Sequence, residues 1–145
     1  MFSVEVSYGL REYLSCLRDF VPAVRTARWR GVEPHQLEPG EVRLPWRQRP
    51  MLFLAGLAMY FYKTRKVGTC TFTVGEDGLE RKSRLGTLSV DWKDVRCVYK
   101  LRRAYLVALE KGATPIPYRV LSGEQRNEFE SLLERNGVKT ARFGS

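Results

Sequence analysis

Residues 68–136 constrain the fold most strongly, because apolar and polar side chains alternate there in short runs separated by turn residues. Cys70, Phe72 and Val74 alternate with threonines, which is the period-two pattern of a half-buried strand. Residues 75–78 supply glycine and acidic residues of the kind that reverse a strand. Because further alternating runs follow at short spacing, this segment predicts a small antiparallel sheet.

A capped helix is expected to close this segment. Ser122 and Gln125 stand three residues apart, as in a capping box, and Gly137 is placed to end the helix. Pro115 and Pro117 lack N–H donors, so the strand that contains them is predicted to lie at a sheet edge. The fold class expected from these patterns is α+β.

The N-terminal half has a different organisation. A period-two pattern predicts a strand over residues 2–7, and apolar residues at three- and four-residue steps predict an amphipathic helix from Leu10. We expect a single domain over residues 1–145, since a chain of this length can bury one core. Its parts are an N-terminal strand and helix (1–30), a proline-rich loop (31–50), a short apolar helix (51–66) and the sheet with its helix (68–137).

Residues 51–62 form an uncharged, largely apolar run. At about 1.5 Å per residue it is too short to cross a hydrocarbon layer about 30 Å thick. Two interpretations stay open: a core helix packed on the sheet, or an interfacial helix whose flanking cations and tryptophan meet anionic lipid. The membrane-surface candidates for the second interpretation are Trp46, Arg47, Arg49, Lys63, Arg65 and Lys66.

The formal net charge of +9 is spread over both halves of the chain. Such a charge favours anionic partners, which include an acidic protein face, a lipid surface or nucleic acid, although it can also serve solubility alone. Two predicted turns concentrate this charge. The partner-binding candidates are Arg81, Lys82, Arg84, Lys100, Arg102 and Arg103.

The sequence shows no pattern typical of catalysis. His35 is the single histidine, and the three cysteines match no metal spacing, so we expect no catalytic residues, no metal and no cofactor. The cysteines are too few and too dispersed for a disulfide framework, which predicts reduced, buried thiols. The opening residues lack the pattern of a signal peptide, so a cytoplasmic location is expected, with peripheral binding at the inner face of the membrane as an option.

Residues 72–95 (FTVGEDGLERKSRLGTLSVDWKDV) and residues 116–133 (IPYRVLSGEQRNEFESLL) resemble the YcxB-like family of small bacterial proteins. The opening residues 4–20 are also similar to the N-terminal strand and helix of that family. The resemblance implies a sheet-plus-helix arrangement similar to pleckstrin-homology-like domains, with membrane helices in the usual members. It implies no activity, so no functional residue is carried over from it.

These observations predict a non-enzymatic module that binds a protein partner or a membrane surface through basic turns. A small immunity-type protein that occludes a cognate toxin is the alternative, suggested by a compact chain with exposed sheet surface and no catalytic pattern. Nucleic-acid binding is a second alternative that the charge permits and the absence of a reader motif disfavours. No small-molecule substrate is expected.

Overall fold

The computed structural model describes residues 1–7, 9–37, 49–66, 68–110 and 112–143, and within residues 49–66 it describes the side chains of residues 50–51 and 54–62. Three α-helices and eight strands are present in these ranges. In chain order they are β1 (Phe2–Val6), α1 (Leu10–Arg30), α2 (Arg49–Lys66), β2 (Cys70–Val74), β3 (Gly78–Ser83), β4 (Gly86–Asp91), β5 (Cys97–Lys100), β6 (Ala104–Ala108), β7 (Ala113–Pro117), α3 (Gly123–Arg135) and β8 (Thr140–Arg142).

The strands form two four-stranded sheets, which confirms the predicted α+β class. The first sheet is antiparallel in the order β1-β2-β3-β4, and the second has the order β7-β6-β5-β8 with β8 parallel to β5. A single sheet was expected from residues 68–137 alone. The structure adds β1 at one edge of the first sheet, where Val6 pairs with Cys70, and β8 at one edge of the second.

One hydrophobic core is shared by both sheets and α3. Phe72 of the first sheet, Tyr105 of the second and Phe129 of α3 are each at most 1% exposed. The rings of Tyr105 and Phe129 lie 4.8 Å apart between centroids. Trp92, also in this core, donates its indole N–H to the Gly75 carbonyl oxygen at 3.0 Å. Burial of these aromatic rings contributes to the stability of the C-terminal part of the fold.

A second core lies on the other face of the second sheet, under α1. Cys97, Tyr99 and Leu106 point to this side, and the Phe20 ring of α1 lies 4.8 Å from the Tyr99 ring. Successive residues of β5 and β6 are therefore buried on alternate faces, which explains their nearly continuous apolar sequence. The second sheet is held between α1 and α3.

Helix α2 packs on α1 in an antiparallel pair. A Cβ placed on Gly56 would lie 2.8 Å from Leu14 Cδ2 and 2.9 Å from Leu17 Cδ1, so the absent side chain lets the two helices approach closely. Further along, the Tyr13 and Tyr60 rings are 6.0 Å apart. No helix among the described residues is both long and apolar enough to cross a membrane.

The interpretation of residues 51–62 as a buried core helix is wrong. Met51, Leu54 and Phe61 are 73%, 65% and 58% exposed, because α2 packs on α1 through the side that carries Gly56 and Tyr60, and these three residues lie on the opposite side. Periodicity alone could not distinguish the two environments, since the segment is apolar on every face.

Several local predictions are confirmed. The Ser122 hydroxyl accepts a hydrogen bond from the Gln125 N–H at 3.1 Å, and the Gln125 side-chain oxygen accepts one from the Ser122 N–H at 2.9 Å. The strand with Pro115 and Pro117 is an edge strand of the second sheet. The three cysteines are buried and free, and burial raises the pKa of the Cys16 thiol to about 12.

Candidate functional site

The first basic turn is the β3–β4 hairpin with Arg81, Lys82 and Arg84. Arg81 is half-buried, and its Nη1 donates to the Thr114 hydroxyl at 3.3 Å. The Lys82 ammonium lies 3.5 Å from the Glu80 carboxylate on the same strand. Arg84 is exposed and lies beside Gly68. Of the three cations, therefore, Arg81 faces into the protein, Lys82 is paired with an acid, and Arg84 faces solvent.

The second basic turn joins β5 to β6 and contains Lys100, Arg102 and Arg103. Lys100 Nζ lies 2.7 Å from Glu130 Oε1 of α3, so this cation already has an acidic partner. Arg102 and Arg103 have exposed side chains at the tip of the turn. The Arg103 carbonyl oxygen accepts a hydrogen bond from the Tyr118 N–H at 3.0 Å, which holds the turn against the end of β7.

Two further arginines join this second turn, and sequence reasoning missed both. The Arg126 guanidinium of α3 lies 4.4 Å above the Tyr118 ring centroid, in cation–π geometry. Arg142 of β8 is the register partner of Lys100. Arg126 follows the helix cap and Arg142 follows α3, so no local pattern relates either residue to a turn that precedes β6.

The charges around this turn connect α3 to the second sheet. A hydrogen bond from Lys100 holds the pKa of the Glu130 carboxyl below its ordinary value of 4.5. Burial raises the pKa of Tyr118 to about 12, and it also raises the pKa of Tyr105. At neutral pH the cluster therefore consists of an ion pair beside neutral phenols, which is a structural arrangement that fixes α3 to the second sheet.

The two basic turns do not form one surface. The β5–β6 turn precedes Ala104 at the start of β6. Arg81 instead contacts Thr114, which pairs with Val107 near the end of β6. The two groups of candidate residues thus lie near opposite ends of β6.

The outer face of α2 is the most exposed apolar surface among the described residues. At 100° per residue its exposed positions lie on the side of the helix opposite Gly56 and Tyr60, which face α1. No charged residue occurs on this face between residues 50 and 62. Its members are Met51, Leu54, Ala55, Ala58, Met59, Phe61 and Tyr62.

Cations flank this face in the sequence. Residues 42–75 contain six arginines and lysines and no aspartate or glutamate. Arg49 and the cations at 63, 65 and 66 belong to the ends of α2, but their side chains lie outside the described part of the structure. Trp46 and Arg47 also lie outside the described residues. At the C-terminal end of α1, Trp29 is 87% exposed between Arg28 and Arg30.

Comparison with known proteins identifies one family. Residues 74–133, from the end of β2 to the last turns of α3, match the model of the YcxB-like protein family. This match confirms the resemblance seen in the sequence of that segment, while the likeness of residues 4–20 stays a prediction. No curated protein and no solved structure matches the chain significantly.

Proposed function

We propose that this protein, whose residues 74–133 match the YcxB-like family, is a membrane-surface module that docks on anionic lipid through the outer face of α2. The observation that carries the proposal is that face: large apolar side chains, between 48% and 73% exposed, turned away from the rest of the fold. Monomeric soluble proteins rarely expose apolar patches of this kind without a binding role.

The length of α2 fits a helix that lies on a bilayer and does not cross it. Its eighteen residues extend about 27 Å, and charged residues occupy both ends. Phe61 and Tyr62 provide aromatic rings that suit the boundary between headgroups and acyl chains. An interfacial helix buries its apolar face in the membrane and keeps its opposite side out of the hydrocarbon. In this protein the opposite side of α2 is covered by α1.

The positive charge around α2 favours anionic lipid, and not an apolar protein surface, as the partner of this face. The acid-free stretch of residues 42–75 places cations before and after the apolar face, and the chain as a whole carries +9. Each lysine or arginine near an anionic membrane contributes about 1 kcal/mol of attraction. The α1 end adds Arg28 and Arg30 with no acid between Asp19 and Glu33.

A vesicle co-sedimentation experiment tests the proposal. The full chain is mixed with phosphatidylcholine vesicles that either contain or lack phosphatidylglycerol. We expect sedimentation with the anionic vesicles, weakened by high salt because salt screens the cations. The variant Leu54→Glu with Phe61→Glu should lose this binding, because two carboxylates would have to enter the interface.

A matched control changes the net charge equally on another surface. Asn127→Glu with Thr140→Glu adds two carboxylates at exposed positions of α3 and β8, and it should keep most of the vesicle binding. The proposal is overturned if the unaltered chain does not sediment with anionic vesicles. Equal binding by the α2 variant and the control would overturn it as well.

A further inference from the structure

Strand β4 is an edge whose outward backbone groups have no hydrogen-bond partner among the described residues. It is the last strand of the first sheet, and within the described ranges no strand pairs with its other side. Trp92 N–H bonds to the Asp77 carbonyl oxygen, which fixes the phase of the β3–β4 ladder. In an antiparallel ladder every second residue pair exchanges backbone hydrogen bonds. Counting from the pair of Trp92 and Asp77, the backbone of Leu88 therefore bonds to that of Arg81 in β3. Thr87 and Ser89 consequently direct their N–H and C=O groups away from the sheet.

This edge lacks the features by which proteins normally block strand addition. Edge strands are usually protected by charges, prolines or a covering element. Residues 85–90 contain neither a charge nor a proline, the single charge of β4 is Asp91 at its end, and Leu85 and Leu88 are 70% and 38% exposed. The nearest edge of the second sheet is β7, which carries Pro115 and Pro117 and is therefore a poor template.

An apolar cleft between the two sheets runs beside β4. Leu88 and Val90 of β4 form one side, and Val107 and Leu109 face them from the second sheet. The enclosed space is about 10 Å³, which is room for a single water and too small for a small-molecule ligand. A side chain from a strand that lies along β4 would therefore cover this cleft and not enter it.

Arg81 gives this cleft a chemical preference. Its Nε is enclosed and has no hydrogen-bond partner among the described residues, while Nη1 donates to Thr114. A buried guanidinium nitrogen without an acceptor is costly, and a carboxylate is its strongest acceptor. Arg81 is the register partner of Leu88, so a strand added to β4 would run about two strand spacings, or about 10 Å, from the Arg81 backbone. Arg81 as a whole is only half-buried, so a glutamate on that strand can approach its guanidinium when the side chain turns outward.

We propose that β4 is an addition site for an extended segment of a partner protein, with alternating apolar and acidic side chains. The segment would pair with Thr87 and Ser89 as a fifth strand, place an apolar side chain over Leu88 and Val90, and direct a carboxylate to Arg81. A second copy of this chain is a poorer occupant. The one acid of its own β4, Asp91, stands at the end of the strand, and two chains of charge +9 repel each other.

Selection from a phage library of random dodecapeptides against the immobilised full chain tests this site. We expect enrichment of peptides that alternate apolar and acidic residues. Ser89→Pro removes one outward N–H without touching the β3 ladder, and it should weaken the binding of a selected peptide about tenfold or more. Ser89→Ala is the matched control, because it keeps the N–H and should bind normally.

Circular dichroism shows whether Ser89→Pro is folded. If it is unfolded, a second variant provides the test. Arg81→Gln should also weaken the binding of acidic peptides. It should have little effect on the binding of the same peptides when glutamine replaces their acidic residue. The inference is overturned if no peptide family is enriched, or if selected peptides bind Ser89→Pro as well as Ser89→Ala. A concentration-dependent dimer that only Ser89→Pro disrupts would also overturn it, because the occupant would then be a second copy.

Discussion

The Asp19 carboxylate accepts a hydrogen bond from the backbone N–H of Arg102 at 3.1 Å, and this contact joins the middle of α1 to the β5–β6 turn. The Asp19 side chain is only 3% exposed. A buried carboxylate is tolerated in such a place because a backbone donor, with Arg18 at 4.0 Å, offsets the loss of water. The basic turn is therefore positioned by an acid on a distant helix.

Replacement of Asp19 by alanine should destabilise the protein. The Arg102 N–H would lose its acceptor in a part-buried position, which costs about 1–3 kcal/mol. Urea denaturation measures the change in unfolding free energy. Asp94→Ala removes an exposed acid from the same charge class and should be nearly neutral. A similar loss in both variants would show that the carboxylate does not hold the turn.

Gly56→Leu should separate α2 from α1. Its side chain would enter space already occupied by Leu14 and Leu17, and overpacking of this kind costs about 1–3 kcal/mol. Ala58→Leu adds the same side chain on the outer face of α2, where it should be tolerated. Thermal unfolding of the two variants provides the comparison. Equal midpoints would mean that the helix pair has no tight contact at Gly56.

Trp92→Ala should be the most destabilising of the substitutions considered. The indole is 4% exposed, stands in edge geometry to Phe129 and bonds to Gly75, so its removal leaves a cavity and should cost about 3–5 kcal/mol. Trp29→Ala, at a position that is 87% exposed, should change stability by less than about 0.5 kcal/mol. If the two variants unfold at the same denaturant concentration, Trp92 does not belong to the core.

The ion pair between Lys100 and Glu130 should make stability depend on acid pH. The folded pKa of Glu130 is lowered from 4.5, so its contribution is present above about pH 4.5 and is lost as pH falls through the folded pKa. Glu130→Gln should therefore be less stable than the unaltered protein at neutral pH, with the difference shrinking below pH 4.5. Denaturation across this range measures it, with Glu134→Gln as the exposed control on α3. A constant difference at all pH values would contradict the assignment.

Local patterns predicted the C-terminal elements well, because each depends on neighbours in sequence. The Ser122 cap, the proline-bearing edge strand and the alternation of Phe72 and Val74 follow from short-range rules. The pairing of β1 with β2 and the addition of β8 could not be predicted in this way, since they depend on contacts between distant segments.

The candidate site was only partly accessible from sequence. The basic turns can be recognised in the sequence, but the acids that contact them come from distant segments. Glu130 on α3 pairs with Lys100, and Asp19 on α1 accepts a hydrogen bond from the turn backbone. The exposure of the α2 face is a tertiary property, because an apolar helix has the same sequence whether it is covered or open. The accessible backbone of β4 likewise becomes apparent only when the strand order is known.

The pairing of Phe2 with Val74 has a consequence for the order in which the protein is made. Strand β1 is synthesised before α1 and α2, yet β2, its neighbour among the described strands of the sheet, follows both helices. The three consecutive strands β2, β3 and β4 can pair locally, whereas β1 can pair with β2 only after the chain between Val6 and Cys70 has folded back. The closure entropy grows only slowly with loop length, by about 0.6 kcal/mol for each doubling, so the length of the segment between β1 and β2 has little effect on their pairing. Helix α2, which lies outside both cores, can therefore differ in length while Val6 and Cys70 stay side by side.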